Sequence, residues 1–403
     1  MNNDCIKCYR FSVWLLYKLS QGRDTNMNVL KFLKIIATLA VLIFVIAGPT
    51  VFEAYKENSK EMTEEEEEKW KGIIVLWDYP TFDKENGTRY EWVMNKIKQF
   101  EKENRGVFID FKPVNFDSCL IEIDTASKTN ALPDIAPVAC ERDIQQSGLL
   151  EPLNDFISEE QRAIYIKDVI DHVTHNEYIY GIPRLIDLNI IAFNRYELEN
   201  SNLDFPERID WGINEFLDIS GALYQNTGLP FIANEKTMYH IIQGIQGQTE
   251  YMDIGEINGF RKNDNIISEF ESRNFSAISC STMDLARFEY NFGSNAELKL
   301  ITLYNEDEGQ KLSGNCTAYG VFKQKDRKKL EMCVKLIYHL TDSGDQVDLW
   351  RFNAFPVLRD VSSIYNEDSD MGKLESLLGN SSKFFINNLN HRDRVDLMKI
   401  YNH

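Results

Sequence analysis

Short apolar runs alternate with amphipathic stretches along most of the chain. Residues 72–77 read GIIVLW, the pattern of a strand buried in a parallel sheet. After a polar loop, Val93, Ile97 and Phe100 recur at helical spacing, and residues 107–111 form the next apolar run. A strand, a helix and a second strand in this order predict two parallel strands joined by a helical crossover.

The same alternation continues toward the C-terminus. Residues 131–139 and 317–322 have the pattern of further strands. The stretch that follows carries apolar residues at spacings of three and four, namely Leu330, Cys333, Val334 and Ile337. This stripe predicts an amphipathic helix in which Cys333 is a packed thiol rather than a reactive one. Strands alternating with helices predict an α/β fold class, with helices on both faces of a sheet.

An uncharged apolar run occupies residues 35–52, which is just long enough to cross a membrane as a helix. Lys31 and Lys34 precede it and the acidic run 64–68 follows, so the N-terminus is expected in the cytoplasm and the remainder outside. As a signal peptide the run would be cut after Ala47, whereas as a signal anchor it would be retained. No cysteine that could carry a lipid follows closely, so a single-pass anchor in the cell membrane is the favoured interpretation.

This segment divides the N-terminal part of the chain. Residues 1–34 are predicted as a cytoplasmic leader and residues 53–71 as an acidic, solvated spacer that lifts the globular part off the membrane. Because the chain from Met27 resembles a complete leader by itself, a start at that residue stays open.

Composition narrows the class of function. The chain has 403 residues, 43% hydrophobic and 27% charged, which indicates about two or three folded units. A net charge of −19 disfavours nucleic-acid binding, and seven scattered cysteines do not form a disulfide framework. His172 and His175 have no further ligand cluster near them in the sequence, so no metal site is predicted. Without a catalytic or cofactor-binding motif, neither an enzyme nor a cofactor is expected.

Several short motifs resemble, in their order and spacing, the extracellular solute-binding proteins of ABC importers. The similarity is to the sugar-type group (family 1) related to maltose-binding protein. It covers most of the chain from about residue 72 to residue 360. The motifs are LPDIAPV (132–138), SGLLEPLNDFI (147–157), YIYGIPR (178–184), IIAFNRYELE (190–199), IDWGINEFL (209–217) and a late block that ends in FPV (355–357).

The resemblance implies a two-lobed, periplasmic-binding-protein-like fold of type II. Lobe 1 is expected to comprise residues 72–183 with 315–346, and lobe 2 residues 184–314 with 347–403. A small solute, with a carbohydrate as the expected class, would be captured between the lobes and delivered to ABC permease subunits by a monomer. A membrane-anchored sensor that uses the same module to signal to a membrane partner is the alternative, and the sequence leaves it open.

One stretch departs from the pattern of the family. Cys280, Ser281 and Thr282 stand where many relatives place a glycine followed by a tryptophan that stacks on the ligand. Aromatic stacking is therefore expected mainly from one lobe.

Candidate binding residues follow from the rule that open α/β sheets bind ligands beyond the carboxyl ends of their strands. The rule points to Trp77, Asp78 and Tyr79 after the first strand and to Glu141 after the third. Arg184 lies just past the first crossing between the lobes. The aromatic residues are predicted to form a wall, and Glu141 and Arg184 to supply charged hydrogen-bonding groups. Two alternatives stay open, namely that Trp77 caps the lobe core and that Arg184 forms a structural ion pair across the hinge.

Overall fold

The computed structural model describes residues 70–115, 118–138, 142–234, 237–238, 241, 259–263, 265–293, 297–304, 312–380 and 384–386. The predicted leader and anchor, and the spacer up to residue 69, lie outside these ranges. Among the described residues, no helix combines the length and apolar character needed to span a membrane.

Thirteen strands are present in the described part of the chain. They are β1 (Gly72–Asp78), β2 (Val107–Pro113), β3 (Ile135–Pro137), β4 (Thr174–His175), β5 (Tyr178–Ile179), β6 (Ile182–Asn194), β7 (Asp210–Gly212), β8 (Phe231–Ala233), β9 (Phe260–Lys262), β10 (Ala277–Ser281), β11 (Leu298–Tyr304), β12 (Leu312–Val321) and β13 (Phe384–Ile386).

The described helices are α1 (Glu91–Glu103), α2 (Cys119–Thr129), α3 (Arg142–Gln146), α4 (Glu159–Ala163), α5 (Lys167–His172), α6 (Arg195–Asn200), α7 (Ile213–Thr227), α8 (Ile266–Ser272), α9 (Asp284–Phe292), α10 (Arg327–Leu340) and α11 (Asp370–Asn380). Two 3₁₀ segments span Asn154–Phe156 and Ser343–Phe352. The strands and helices expected from the apolar pattern at β1, α1, β2, β12 and α10 are confirmed.

The first sheet has the strand order β2-β1-β3-β12-β6. Strand β1 pairs in parallel with β2 and with β3, which confirms the predicted crossover through α1. Strand β12 is antiparallel to both β3 and β6. It follows that β1 and β6 run in the same direction.

The second sheet is built on the far half of β6. Strand β6 is 13 residues long. Its first part, up to Leu188, pairs with β12, and from Asn189 onward it pairs with β10 in antiparallel fashion. Strands β8 and β9 extend this sheet beyond β10, and β11 pairs with β6 and β7. We call the first sheet with α1, α2 and α10 the first lobe, and the second sheet with α6 to α9 the second lobe.

Apolar side chains cover both faces of each sheet, as an α/β fold requires. In β1, Ile74 and Leu76 pack toward α1 and α10, whereas Trp77 packs on the opposite face toward α2. In β6, Ile190 and Ile191 likewise belong to cores on opposite faces. The exact residue boundaries of the two lobes stay a prediction, since β6 and β12 take part in the crossing.

The cysteines in the described part of the chain are buried. They are Cys119, Cys280, Cys316 and Cys333. Cys333 lies on the buried stripe of α10 as predicted, and burial raises the pKa of its thiol.

Candidate functional site

The strands of the two lobes run toward each other. Strand β1 has the direction of β6, and β10 has the opposite direction, because β10 pairs with β6 in antiparallel fashion. Strand β1 ends at Asp78, and β10 ends at Ser281, which stands opposite Asn189 near the middle of β6. The carboxyl ends of both sheets therefore face each other across the central part of β6, where a ligand cleft is expected.

Asp78 ends β1 in a buried polar environment. The pleat places it on the same face as Ile74 and Leu76, and it is only 1% exposed. The Tyr319 hydroxyl donates to Asp78 Oδ2 at 2.8 Å, and the Tyr79 backbone N–H donates to Oδ1 at 2.8 Å. Burial raises the pKa of Asp78, and the positive charge of Arg184 opposes that rise.

Arg184 completes this first-lobe cluster from β6. It is 2% exposed, and its Nη1 donates to Thr81 Oγ1 and to Tyr319 Oη at 3.4 Å each. Its guanidinium lies 4.0 Å from the ring centroid of Trp92, a cation–π contact. Nε and Nη2 are buried and have no hydrogen-bond partner among the described residues. Asp78 and Arg184, both predicted from the sequence, are thus brought into one cluster.

Trp77 lies in the core of the first lobe. It is 6% exposed and packs with Ile123, Ala136 and other apolar residues of that core. Lys112 Nζ lies 4.0 Å from the centroid of its ring. Tyr79 packs against the same cluster. This position agrees with the core-packing alternative for Trp77, and the aromatic wall stays a prediction. Glu141 lies outside the described residues.

A second polar cluster lies at the carboxyl end of β10. The backbone N–H of Met283 and the hydroxyl of Thr282 both donate to Asp187 Oδ1 at 3.0 Å. The Ser281 N–H donates to Asp284 Oδ2 at 2.9 Å. Burial and then the nearby charge of Asp284 raise the pKa of Asp187 to about 7. Asp187 is nevertheless only half-buried.

Sequence reasoning missed this pair of acids. A signal existed, since Asp187 is the single charged residue between Arg184 and Arg195 in a mostly apolar strand. Its proximity to Asp284 could not be predicted, because that depends on the register between β6 and β10.

Taken together, the clusters supply carboxylate acceptors, hydroxyls and a guanidinium at facing strand ends. Such groups suit recognition of a polar solute by hydrogen bonds. Within the described ranges, no group of three or more histidine, cysteine or acidic residues could hold a metal ion.

A separate cavity of about 1190 Å³ lies between α5, residues 207–210 and α11. It shares no residue with either polar cluster. Several of its charged residues are already paired, as in Lys167–Asp171 and Arg208–Glu215. We therefore centre the candidate site on the strand ends rather than on this cavity.

Comparison with known proteins identifies the architecture. A chitin oligosaccharide binding protein shares 13% identity with a TM-score of 0.65, covering 82% of this chain and 93% of its own. The maltose-bound MalE3 of T. maritima has 12% identity and a TM-score of 0.63 over 82% and 93% of the two chains. The ABC substrate-binding protein Lmo0181 from Listeria monocytogenes, in complex with cycloalternan, has 12% identity and a TM-score of 0.61 over 83% and 92%.

Sequence comparison alone detects similarity over a much shorter part of the chain. A binding protein of Brucella abortus (strain 2308) is 26% identical over 111 residues, which span 27% of this chain and 27% of that relative. No protein-family model matches the chain. What the chain shares with the solved structures is the mixed α/β fold of two-lobed sugar-binding proteins.

Proposed function

We propose that the protein captures a carbohydrate between its two lobes outside the cytoplasmic membrane and delivers it to an ABC permease. The proposal rests on one observation. The carboxyl ends of the strands in the two sheets meet at the middle of β6, and a polar cluster lies on each side. A cleft of this kind is where an open α/β sheet binds its ligand. This function requires the protein only to recognise the solute, and no bond in the solute has to break.

The chemistry of the clusters supports a hydroxylated solute. Asp187 and Asp284 carry carboxylate oxygens that can accept from sugar hydroxyls, and Ser281 offers a group that both donates and accepts. Hydrogen bonds to charged groups contribute about 1.5–3 kcal/mol each, so a few of them would give a useful affinity. The three solved neighbours described above are named for oligosaccharides, for maltose or for a complex with cycloalternan, and none is named as a sensor.

The setting of the protein is part of the same proposal. Residues 35–52 would hold the N-terminus in the membrane, and residues 53–71 would place the lobes beside the permease. The unit that binds solute would be a monomer, because one chain supplies both walls of the cleft.

A carbohydrate screen tests the proposal. The full chain in detergent is heated with single sugars and oligosaccharides, and the midpoint of unfolding is measured. A solute at 100 times its Kd should add about 2.7 kcal/mol to stability, which shifts the midpoint clearly. Asp187→Asn should lose about tenfold in affinity for the solute that is found, whereas the exposed Asp110→Asn should bind as the parent does.

Two outcomes would contradict the proposal. One is a screen in which no carbohydrate raises the midpoint while an amino acid or peptide does. The other is a sugar that binds the parent and both variants equally, since it would then bind away from the second-lobe cluster.

A further inference from the structure

The segment between β1 and α1, residues 79–90, folds into a compact loop that we call the strap. Its ends are joined by a backbone hydrogen bond from the Thr81 N–H to the Arg89 carbonyl at 3.2 Å. Within it, the Asp83 N–H donates to the Thr88 carbonyl at 2.8 Å, and the Gly87 N–H donates back to the Asp83 carbonyl at 2.9 Å. The strap is therefore closed by hydrogen bonds of its own backbone.

Lys84 at the tip of the strap makes a closed set of polar contacts. Its Nζ lies 2.7 Å from Glu289 Oε2 and donates to Asn353 Oδ1 at 2.7 Å. Asn353 Nδ2 in turn donates to Glu289 Oε1 at 2.9 Å. The side chains of Lys84 and Glu289 are only 15% and 14% exposed, so this ion pair is shielded from most of the screening that weakens surface pairs.

Other contacts also join the strap to α9. The ring of Phe82 meets Tyr290 of α9 edge to face, with the centroids 5.7 Å apart. Gly87 has a φ of +71°, and a Cβ there would lie 2.3 Å from the Tyr290 ring. The positive φ therefore favours glycine at this position, and a larger residue would also displace the Tyr290 ring.

A third set of contacts joins the strap to the 3₁₀ segment Ser343–Phe352. The Lys84 N–H donates to the Arg351 carbonyl at 3.0 Å. The Arg351 guanidinium pairs with Asp83, and its Nε lies 3.1 Å from Glu85 Oε2.

These contacts cross from one lobe to the other. The strap continues β1 of the first sheet, whereas Glu289 and Tyr290 belong to α9, which begins directly after β10 of the second sheet. We propose that Lys84 is a positioning residue that latches the strap onto α9 and so holds the two lobes in the arrangement seen here. The latch acts through Glu289 and Asn353 and does not require Lys84 to touch a solute.

The latch has a consequence for binding that rests on the proposed function. The apparent affinity of a two-lobed protein is its intrinsic affinity multiplied by the fraction of molecules in the binding-competent arrangement. We take the latched arrangement as the competent one, so weakening the latch lowers that fraction and weakens binding. The contact between the lobes itself can be tested without any solute, so a failure of the carbohydrate proposal would leave this inference standing.

Hydrogen exchange of the full chain without added solute tests the latch. Lys84→Met removes the charge and keeps most of the aliphatic length, and we expect exchange to rise about tenfold in residues 79–90 and in α9, the effect of losing about 1.4 kcal/mol of local stability. Amides in the centres of β1 and β10 should be unchanged. Lys98→Met is the matched control, because Lys98 is an exposed lysine on the neighbouring helix α1.

A charge swap distinguishes the loss of a specific ion pair from a general loss of stability. Lys84→Glu should raise exchange in the same two segments, and adding Glu289→Lys should restore much of the protection. The inference is overturned if Lys84→Met behaves like Lys98→Met, if the swap gives no rescue, or if exchange rises uniformly through the cores of both lobes.

Discussion

The polar clusters at the two facing strand ends differ in how their charges are balanced. In the first lobe, Asp78 faces the positive charge of Arg184 and accepts a hydrogen bond from Tyr319, and all three residues are almost fully buried. In the second lobe, Asp187 lies beside another acid, Asp284, and is half-buried. In the first cluster an acid faces a positive charge, whereas in the second cluster an acid faces another acid, and added hydrogen-bond donors can relieve that unfavourable interaction.

This difference suggests that the two lobes contribute differently to ligand binding. A buried pair of opposite charges resists change, because separating it leaves an uncompensated charge in a poor solvent. A half-buried pair of like charges gains from any ligand that supplies hydrogen-bond donors. The first lobe would therefore supply a fixed wall, and the second lobe the more responsive one. Three predictions test this contrast.

The largest effect is expected at Trp77. Because Trp77 is buried in the first-lobe core, Trp77→Ala should lower the free energy of unfolding by about 3–5 kcal/mol. Urea unfolding of the full chain measures it, with Tyr196→Ala as the control, since Tyr196 is 69% exposed. A variant that keeps its stability and loses carbohydrate binding would instead support the aromatic wall predicted from the sequence.

The next largest effect concerns the buried charges of the first lobe. Arg184→Met leaves Asp78 buried without its opposite charge, so stability should fall by about 3 kcal/mol at neutral pH. Adding Asp78→Asn should recover part of that loss, because the neutral amide needs no counter-charge. Urea midpoints of the two variants decide between the outcomes. If the double variant is no more stable than Arg184→Met, the stacking of Arg184 on Trp92 matters more than its charge.

Some of these features could be predicted from the sequence, because they depend only on residues that are close together along the chain. The strand at β1 and the helices α1 and α10 are encoded by local periodicity, and the structure confirms them. Asp78 could be placed at a strand end by counting from the apolar run. The burial of Trp77 on the opposite face from Asp78 also follows from the pleat of the strand. The rule that ligands bind beyond the carboxyl ends of strands does not take the pleat into account.

Long-range features could not be predicted in the same way. Asp187 and Asp284 are 97 residues apart in the sequence, and Lys84 and Glu289 are 205 apart. Both pairs form only because β6 passes from one sheet into the other and β10 pairs with it. No local pattern records that register.

The smallest effect is expected from the second-lobe acids, as a dependence of stability on pH. Asp187 has a pKa of about 7 in the folded protein, above the ordinary value of 3.8. Below pH 3.8 the carboxyl is protonated in both the folded and unfolded chains, so it contributes no difference. Between pH 3.8 and 7 the unfolded chain releases this proton and the folded chain retains it. Stability should therefore fall as pH rises through this window and level off above it.

Asp187→Asn isolates this contribution, because an amide cannot titrate. The variant should gain stability relative to the parent as pH rises from 4 to 7, by about 1 kcal/mol once the partial exposure of the group is taken into account. Urea unfolding of the parent and of Asp187→Asn at several pH values measures the difference. A difference between Asp187→Asn and the parent that is the same at pH 4 and pH 7 would mean that neither burial nor the charge of Asp284 raises the pKa of Asp187 in the folded protein. The contrast between the lobes would then fail. A difference that disappears when a carbohydrate is added would sharpen the contrast instead, because solute hydroxyls would then add donors to those that Thr282 and the Met283 N–H already give to Asp187.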